Sequence, residues 1–483
     1  MANLRRSLII NFFSSSGAAG LQFVVSVLLA RMLSPSEIGV YSMTVVFVNI
    51  AHMFRDFGVS TYVQREDDLT EQKMRSAIGV MFTSSWMIAG LLFGVSGWLG
   101  EWFREPQLAP VMRVLAIGFL VIPFGSITHS LLVRQFAADK QAYVIAASTI
   151  AYCVTCLTLA YMGYGTMSLA WANLVNISVS ALAYIPLRPK GMPWLPSFRH
   201  WGDIIHFGVG TLITNITSSV NNAIPDLLLG KLGSARLVGL LSRANSTVSI
   251  FSYVAGSTIT YGAVSYLSQS YHRGESLVPV LRRANALLTG IGWPAFALTA
   301  LLGSDIVLAL YGPKWLDCVP AILPLTIAAA VSMAFQYTAT AFMAVGRPYL
   351  GGAPVLVTLL SRIAFGWWMF DGTLVTFAWS ICYATLATAP VTMFQQRRYF
   401  SFHISSFLAG LVPSALVAVL CLAACEALRL VLPLNLTPIL RVSILALPLM
   451  GAWYAGLRLT RHELLDEVHQ LAVSVKSKVL RPG

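Results

Sequence analysis

Arg55, Arg243 and Arg362 each lie inside an apolar run long enough to cross a membrane, so these three residues demand a chemical explanation first. A charged side chain at the centre of a bilayer costs about 2.5–3.5 kcal/mol on insertion scales, and it persists where it pairs, snorkels or lines a wet cavity. The guanidinium group stays protonated and can hold two phosphate oxygens through parallel charge-assisted bonds, so a cavity-lining arginine points to an anionic ligand. Simpler structural roles are open to two of them. Arg55 adjoins Asp56 near the end of its run and can pair locally or reach the interface, and Arg243 can pair with Asp226 on the preceding helix. Arg362 follows Ser361 with no acidic residue in its own run, which makes it the clearest candidate for a cavity cation. Asp56 and Asp226 are the acidic residues that accompany these charges.

Two polar stripes accompany these charges. Asn11, Ser15, Gln22 and Ser26 recur at helical spacing in the first apolar run, and Thr211, Asn215, Asn222 and Asp226 occupy the same positions in the seventh, 200 residues later. Hydroxyl and amide side chains can act as glue between membrane helices, and SSSGAAG at 14–20 is a small-residue surface suited to close approach. The seventh run also carries Thr214, Thr217, Ser218, Ser219 and Asn221, more polarity than pairwise packing needs, which favours the wall of a water-filled cavity. The 200-residue offset extends into the next segment. LLARMLSPSEIGVYS at 28–42 aligns without gaps on LLGKLGSARLVGLLS at 228–242, with Ser34, Gly39 and Ser42 matched by Ser234, Gly239 and Ser242. The sequence therefore reads as two six-helix repeats with two further helices at the end. Paired repeats in transporters place the substrate path at the repeat interface.

The elements that position these residues follow from composition. The chain has 483 residues, 57% of them hydrophobic and 11% charged, where a soluble protein carries about a quarter charged residues. An all-α integral membrane protein is the class that fits. Spans of about 20 apolar residues fall at 8–30, 38–57, 77–99, 110–132, 142–162, 165–186, 204–230, 235–264, 278–302, 319–345, 348–370, 373–394, 404–428 and 437–457, fourteen in all. The expected division is an N-lobe over 1–190, a C-lobe over 200–396, two helices over 397–459, and a cytoplasmic amphipathic tail over 460–483. With both termini cytoplasmic, 21 of the 32 Lys and Arg residues fall on cytoplasmic segments and 8 on the opposite side, as positive-inside topology requires. The net charge of +13 is thus mostly topology; no basic patch or stripe suggests nucleic acid.

The remaining features read as architecture. SDIVLALYGPKW at 304–315 is too short to span and suits an interfacial segment turned by Gly312 and Pro313. The acidic residues Glu66, Asp67, Asp68 and Glu71 read as a solvated loop. The six cysteines sit in or beside apolar runs as packing residues, without the flanking ligands of a metal site. Leu464, Val468, Leu471, Val475 and Val479 give the tail an apolar face for the membrane surface. No nucleophile elbow, phosphate loop or zinc motif is present, so neither enzymatic activity nor a cofactor is expected.

LLARMLSPSEIGVYS, FRDFGVSTYVQREDDLT at 54–70 and IVLALYGPKW at 306–315 resemble the polysaccharide transporter branch of the multidrug/oligosaccharidyl-lipid/polysaccharide exporter superfamily. The resemblance covers residues from about 5 to 400. It implies a two-lobed flippase of the bacterial inner membrane, which moves polyprenyl-pyrophosphate-linked oligosaccharide to the periplasmic leaflet for surface polysaccharide, exopolysaccharide or O-antigen assembly. Arg31, Arg55, Arg243 and Arg362 become candidates for engaging the pyrophosphate, and Asn215 and Asn222 for the sugar. The same resemblance makes Asp56 and Asp226 the candidate sites for a coupling proton or sodium ion. Membrane lipids, and a polysaccharide polymerase with its export machinery, are the expected partners. A drug or metabolite exporter of the same superfamily is the first alternative, although its cavity should favour acidic residues. A membrane-embedded polysaccharide polymerase or ligase is the second, although the outward loops here are short.

Overall fold

The computed structural model describes residues 2–66, 68–193, 195–199, 201–260, 263–400, 402–431, 433 and 436–470; side chains at 2–6, 8–9, 203, 207, 210–218, 251–260, 263–266 and 348 are outside this description. Every regular element among the described residues is a helix. Among the described residues, eleven helical stretches are long and apolar enough to cross a membrane, or twelve with one bent pair counted as a single span. The chain clusters into two compact units, Met1–Gly239 and Leu240–Gly483.

In the first unit α1 (Ala2–Met32), α2 (Pro35–Asp56), α3 (Val59–Arg65), α4 (Glu71–Trp102), α5 (Leu108–Val121), α6 (Pro123–Arg134), α7 (Ala138–Tyr161), α8 (Thr166–Tyr184) and α9 (Gly202–Leu232) follow in order, and α10 (Ala235–Thr260) begins. The second unit contains α11 (Ala263–His272), α12 (Leu277–Leu301), α13 (Gly303–Leu310), α14 (Val319–Ala334), α15 (Thr338–Ala344), α16 (Gly352–Met369), α17 (Leu374–Phe400), α18 (Ile404–Val431) and α19 (Pro438–Leu459).

Most expected spans appear within a few residues of their sequence limits. The span at 110–132 is instead two helices, bent by 57° at Pro123. Proline lacks the N–H that would continue the α5 ladder and its ring crowds the preceding turn, so the helix restarts there. The expected count of fourteen exceeds the eleven to twelve that qualify. The other two expected spans fall on α9 and α10, helices of 31 and 26 residues. The polarity that marks α9 as a possible wet wall also separates it from an ordinary lipid-facing span.

Local chemistry sets the helix starts in both copies of the repeat. Ser34 caps α2 in a reciprocal box: its hydroxyl accepts the Glu37 N–H at 3.3 Å while the Glu37 carboxylate accepts the Ser34 N–H at 2.7 Å. At the same place in the second copy, Ser234 accepts the Leu237 N–H at 3.4 Å, and Glu105 accepts the Ala235 N–H at 3.3 Å. The two copies then meet reciprocally. A Cβ on Gly39 would lie 1.7 Å from the Ala235 carbonyl oxygen, and one on Gly239 would lie 1.9 Å from that of Pro35. Residues 35 and 235, like 39 and 239, are related by the 200-residue offset, so α2 and the first turn of α10 cross with backbones touching where glycine alone fits.

Candidate functional site

Arg55 and Asp56 occupy the last turn of α2, and both are half-buried. The Ser60 hydroxyl of α3 donates to Asp56 Oδ1 at 2.5 Å, so this carboxylate is held by its own neighbouring turn. Ser84 of α4 donates to the Arg55 carbonyl at 2.7 Å, and Arg55 Nη1 lies 3.7 Å from the Met81 sulfur. A thioether is a weak acceptor, so the cation is positioned without being neutralised there. His52, one turn earlier on the same face, stacks on Phe119 of α5 with ring centroids 4.5 Å apart. His129 Nδ1 of α6 lies 2.9 Å from the Tyr184 hydroxyl of α8. Two histidines in this polar unit were missed by sequence reading; the signal available for His52 was its three-residue spacing from Arg55, which puts both on one helix face.

Arg31 is exposed at the end of α1. Its repeat counterpart Lys231 donates to the Trp102 carbonyl at 2.8 Å and sits 4.5 Å from the Trp102 ring centroid. In the first stripe Asn11, Ser15 and Gln22 are exposed, and Ser15 donates to the Asn11 side chain on its own helix at 3.4 Å. Ser26 is half-buried, and α1 packs on α7. In the second stripe Asn222 is exposed and Asp226 is half-buried, with no hydrogen bond or ion pair among the described residues, whereas the Asn215 side chain lies outside those residues.

Arg243 is held by a segment that sequence reading treated as architecture. Its guanidinium carbon lies 5.7 Å from the Tyr311 ring centroid and 5.8 Å from that of Trp315. Trp315 is fully buried and Tyr311 nearly so. The chain brings both rings to one place by ending α13 at Leu310, turning through Gly312 at φ 92°, and entering a short 3₁₀ helix at Pro313–Cys318. Only glycine adopts that backbone region without strain. Cation–π contact engages the faces of a guanidinium, whereas hydrogen bonds to phosphate run in its plane, so the two uses are geometrically compatible. In the first unit the repeat counterpart of Arg243 is Met43, fully buried against Gly230. The repeated architecture does not itself require a cation at that position. Arg362 is half-buried on α16, which packs on α17 with Thr358 and Thr388 hydroxyls 2.8 Å apart.

Two other expectations meet the structure directly. Glu66 and Glu71 lie at the surface among basic residues and pair with Lys73 at 2.5 Å and Arg75 at 3.0 Å. The acidic loop is therefore charge-matched by the start of α4, although such exposed pairs contribute little stability. The six cysteines are buried and free, and no cluster of metal-binding side chains occurs among the described residues.

Among the described residues, eleven or twelve helices long and apolar enough to cross a membrane define a multi-pass helical membrane protein. The chain belongs to the family described as "Polysaccharide biosynthesis protein", which it matches over residues 28–320. It is 22% identical over 374 residues to the "Teichuronic acid biosynthesis protein TuaB" of Bacillus subtilis (strain 168), covering 74% of this chain and 75% of that one. It is 24% identical to the "Succinoglycan biosynthesis transport protein ExoT" of Rhizobium meliloti (strain 1021), covering 62% of this chain and 61% of that one. Its fold is similar to "Lipid II flippase MurJ, inward closed conformation", with a TM-score of 0.75 at 14% identity, covering 93% of this chain and 99% of the other. An inward-facing multidrug resistance MATE family transporter of the MOP superfamily is also similar, with a TM-score of 0.63 at 14% identity, covering 79% and 94%.

Proposed function

We propose that this protein is a flippase that moves a polyprenyl-pyrophosphate-linked oligosaccharide across the bacterial inner membrane during assembly of a surface polysaccharide, exopolysaccharide or O-antigen. The observation that carries this reading is membership of the polysaccharide biosynthesis family in a chain with at least eleven apolar membrane-length helices. A relative described as a succinoglycan transport protein and a shared fold with a lipid II flippase support it. Both termini lie in the cytoplasm on this reading, and the polysaccharide polymerase and export machinery act after the cargo has crossed.

The task is to carry a sugar head and a diphosphate through hydrocarbon while the prenyl tail stays in lipid. No covalent bond changes, so no catalytic residue or cofactor is required. Arg31, Arg55, Arg243 and Arg362 offset the diphosphate charge, and Asn215 and Asn222 replace sugar hydration. Asp226 or Asp56 takes the coupling ion. The N-lobe over 1–190 and C-lobe over 200–396 rock to expose the cargo to the other side.

Complementation of a strain lacking the gene tests the arginines. Arg243→Ala and Arg362→Ala should each lower surface polysaccharide at least tenfold at normal protein abundance, the equivalent of about 1.4 kcal/mol of lost cargo stabilisation. Wild-type polysaccharide levels in both variants would remove the arginines from the site.

A further inference from the structure

Beyond the last membrane helix the chain folds back onto the second unit through a buried histidine. After α19 ends at Leu459, Arg461 adopts a left-handed conformation (φ 49°) and His462 turns inward to 3% exposure. The imidazole Nδ1 accepts the Leu464 backbone N–H at 3.1 Å. That bond requires the neutral tautomer with its proton on Nε2, which lies 2.9 Å from Ser414 Oγ of α18. Ser414 Oγ is 2.8 Å from Thr289 Oγ1 of α12, and Thr289 in turn donates to the Asn285 carbonyl at 2.8 Å. The direction of the relay is therefore fixed: His462 donates to Ser414, Ser414 to Thr289, and Thr289 to the backbone.

The slot that holds the ring is built for it. A Cβ on Gly290 of α12 would lie 2.6 Å from the imidazole Cε1, and the Gly290 carbonyl accepts the Trp453 indole N–H of α19 at 2.9 Å. Leu464 follows into an apolar cluster with Val417, Cys421 and Leu457. Two ion pairs flank the insertion, Arg282–Glu463 at 3.3 Å and Arg283–Glu467 at 2.8 Å.

We propose that His462 is a proton-controlled clasp: the neutral ring holds residues 462–470 against α12 and α18, and protonation at Nδ1 releases them. An imidazolium has no lone pair for the Leu464 N–H and places a charge in a slot lined by glycine, hydroxyls and apolar side chains. The charged groups around it come from each packed element. α12 contributes Arg282 and Arg283, each paired with a glutamate of the segment, and α19 contributes Arg458 and the Tyr454 hydroxyl. The segment itself contributes Arg461, Glu463, Asp466, Glu467 and His469, of which Glu463 favours the imidazolium but is paired with Arg282. α18 contributes Cys421, in the apolar cluster that receives Leu464. Burial lowers the His462 pKa below its ordinary value near 6.5, and the undocked segment regains that value. Docking is thus fully favoured above about pH 6.5 and weakens as pH falls towards the lower docked value, tenfold for each unit separating the two.

Hydrogen–deuterium exchange of the full-length protein in detergent at pH 7.5, 6.5 and 5.5, corrected for intrinsic exchange rates, tests the clasp. Protection of 462–470 should fall measurably, by no more than about tenfold, between pH 7.5 and 5.5, while peptides from α12 stay unchanged. His462→Asn, whose side-chain carbonyl accepts the N–H two residues on at any pH, should abolish the pH response. His469→Gln should leave it intact, and Ser414→Ala should lower protection at pH 7.5 while keeping the response. Constant protection in the wild type, a response retained in His462→Asn, or one lost in His469→Gln would overturn the proposal.

Discussion

Replacing Gly39 or Gly239 with alanine should lower the apparent Tm of the detergent-solubilised protein by about 5–10 °C and sharply reduce surface polysaccharide. Each added Cβ would lie within 2 Å of a carbonyl oxygen of the crossing helix, so the backbones must separate by more than 1 Å. Overpacking of this kind costs about 1–3 kcal/mol, which corresponds to a Tm shift of several degrees in a unit of this size. The informative variant is the double substitution. Both glycines serve one contact, so once α2 and α10 have separated for the first Cβ the second costs less, and the pair should be clearly sub-additive. Full additivity in thermal unfolding would show that the two positions act independently and that the reciprocal crossing does not exist.

Arg441→Ala should be the most destabilising single change in the second unit. Arg441 Nη1 of α19 bonds Asp305 Oδ1 of α13 at 3.0 Å, and the aspartate side chain is 7% exposed. Removing one partner of a buried pair leaves an uncompensated charge and costs about 3–5 kcal/mol, whereas replacing both with apolar residues is often neutral. Combining Arg441→Met with Asp305→Leu should therefore recover most of the lost stability. The pair lies beside the Leu302, Cys425, Leu445 and Leu449 cluster and anchors the segment that leads to Tyr311 and Trp315. If Arg243 has the role proposed for it, Arg441→Ala should also impair transport, as a deficit in surface polysaccharide larger than its abundance predicts.

The helices and the repeat were readable because both depend on local or translational pattern. Apolar runs of membrane length mark the spans, and a fixed offset of 200 residues pairs Ser34 with Ser234 and Gly39 with Gly239. The break at Pro123 was less legible, since proline is tolerated inside α12 (Pro294) and α17 (Pro390) and only packing decides which one bends the chain. Arg243 was recognised as unusual, but its aromatic clamp was not. Tyr311 and Trp315 lie about seventy residues away in sequence, in a segment whose periodicity says only that it is too short to span. His462 was invisible for a similar reason: one histidine after a membrane helix has no spacing partner, and its slot comes from Gly290 and Ser414 on two distant helices. The Asp305–Arg441 pair has the same character, linking residues that composition assigns to separate helix ends.

Deletion of the gene followed by leaflet-resolved analysis of membrane lipids tests the proposed transport most directly. The polyprenyl-linked oligosaccharide should accumulate on the cytoplasmic face, inaccessible to a sugar-modifying enzyme supplied from outside the inner membrane, and a plasmid-borne copy should clear it. An unchanged lipid pool with a normal leaflet distribution, accompanied by altered drug sensitivity, would contradict the flippase reading and identify an exporter of other cargo.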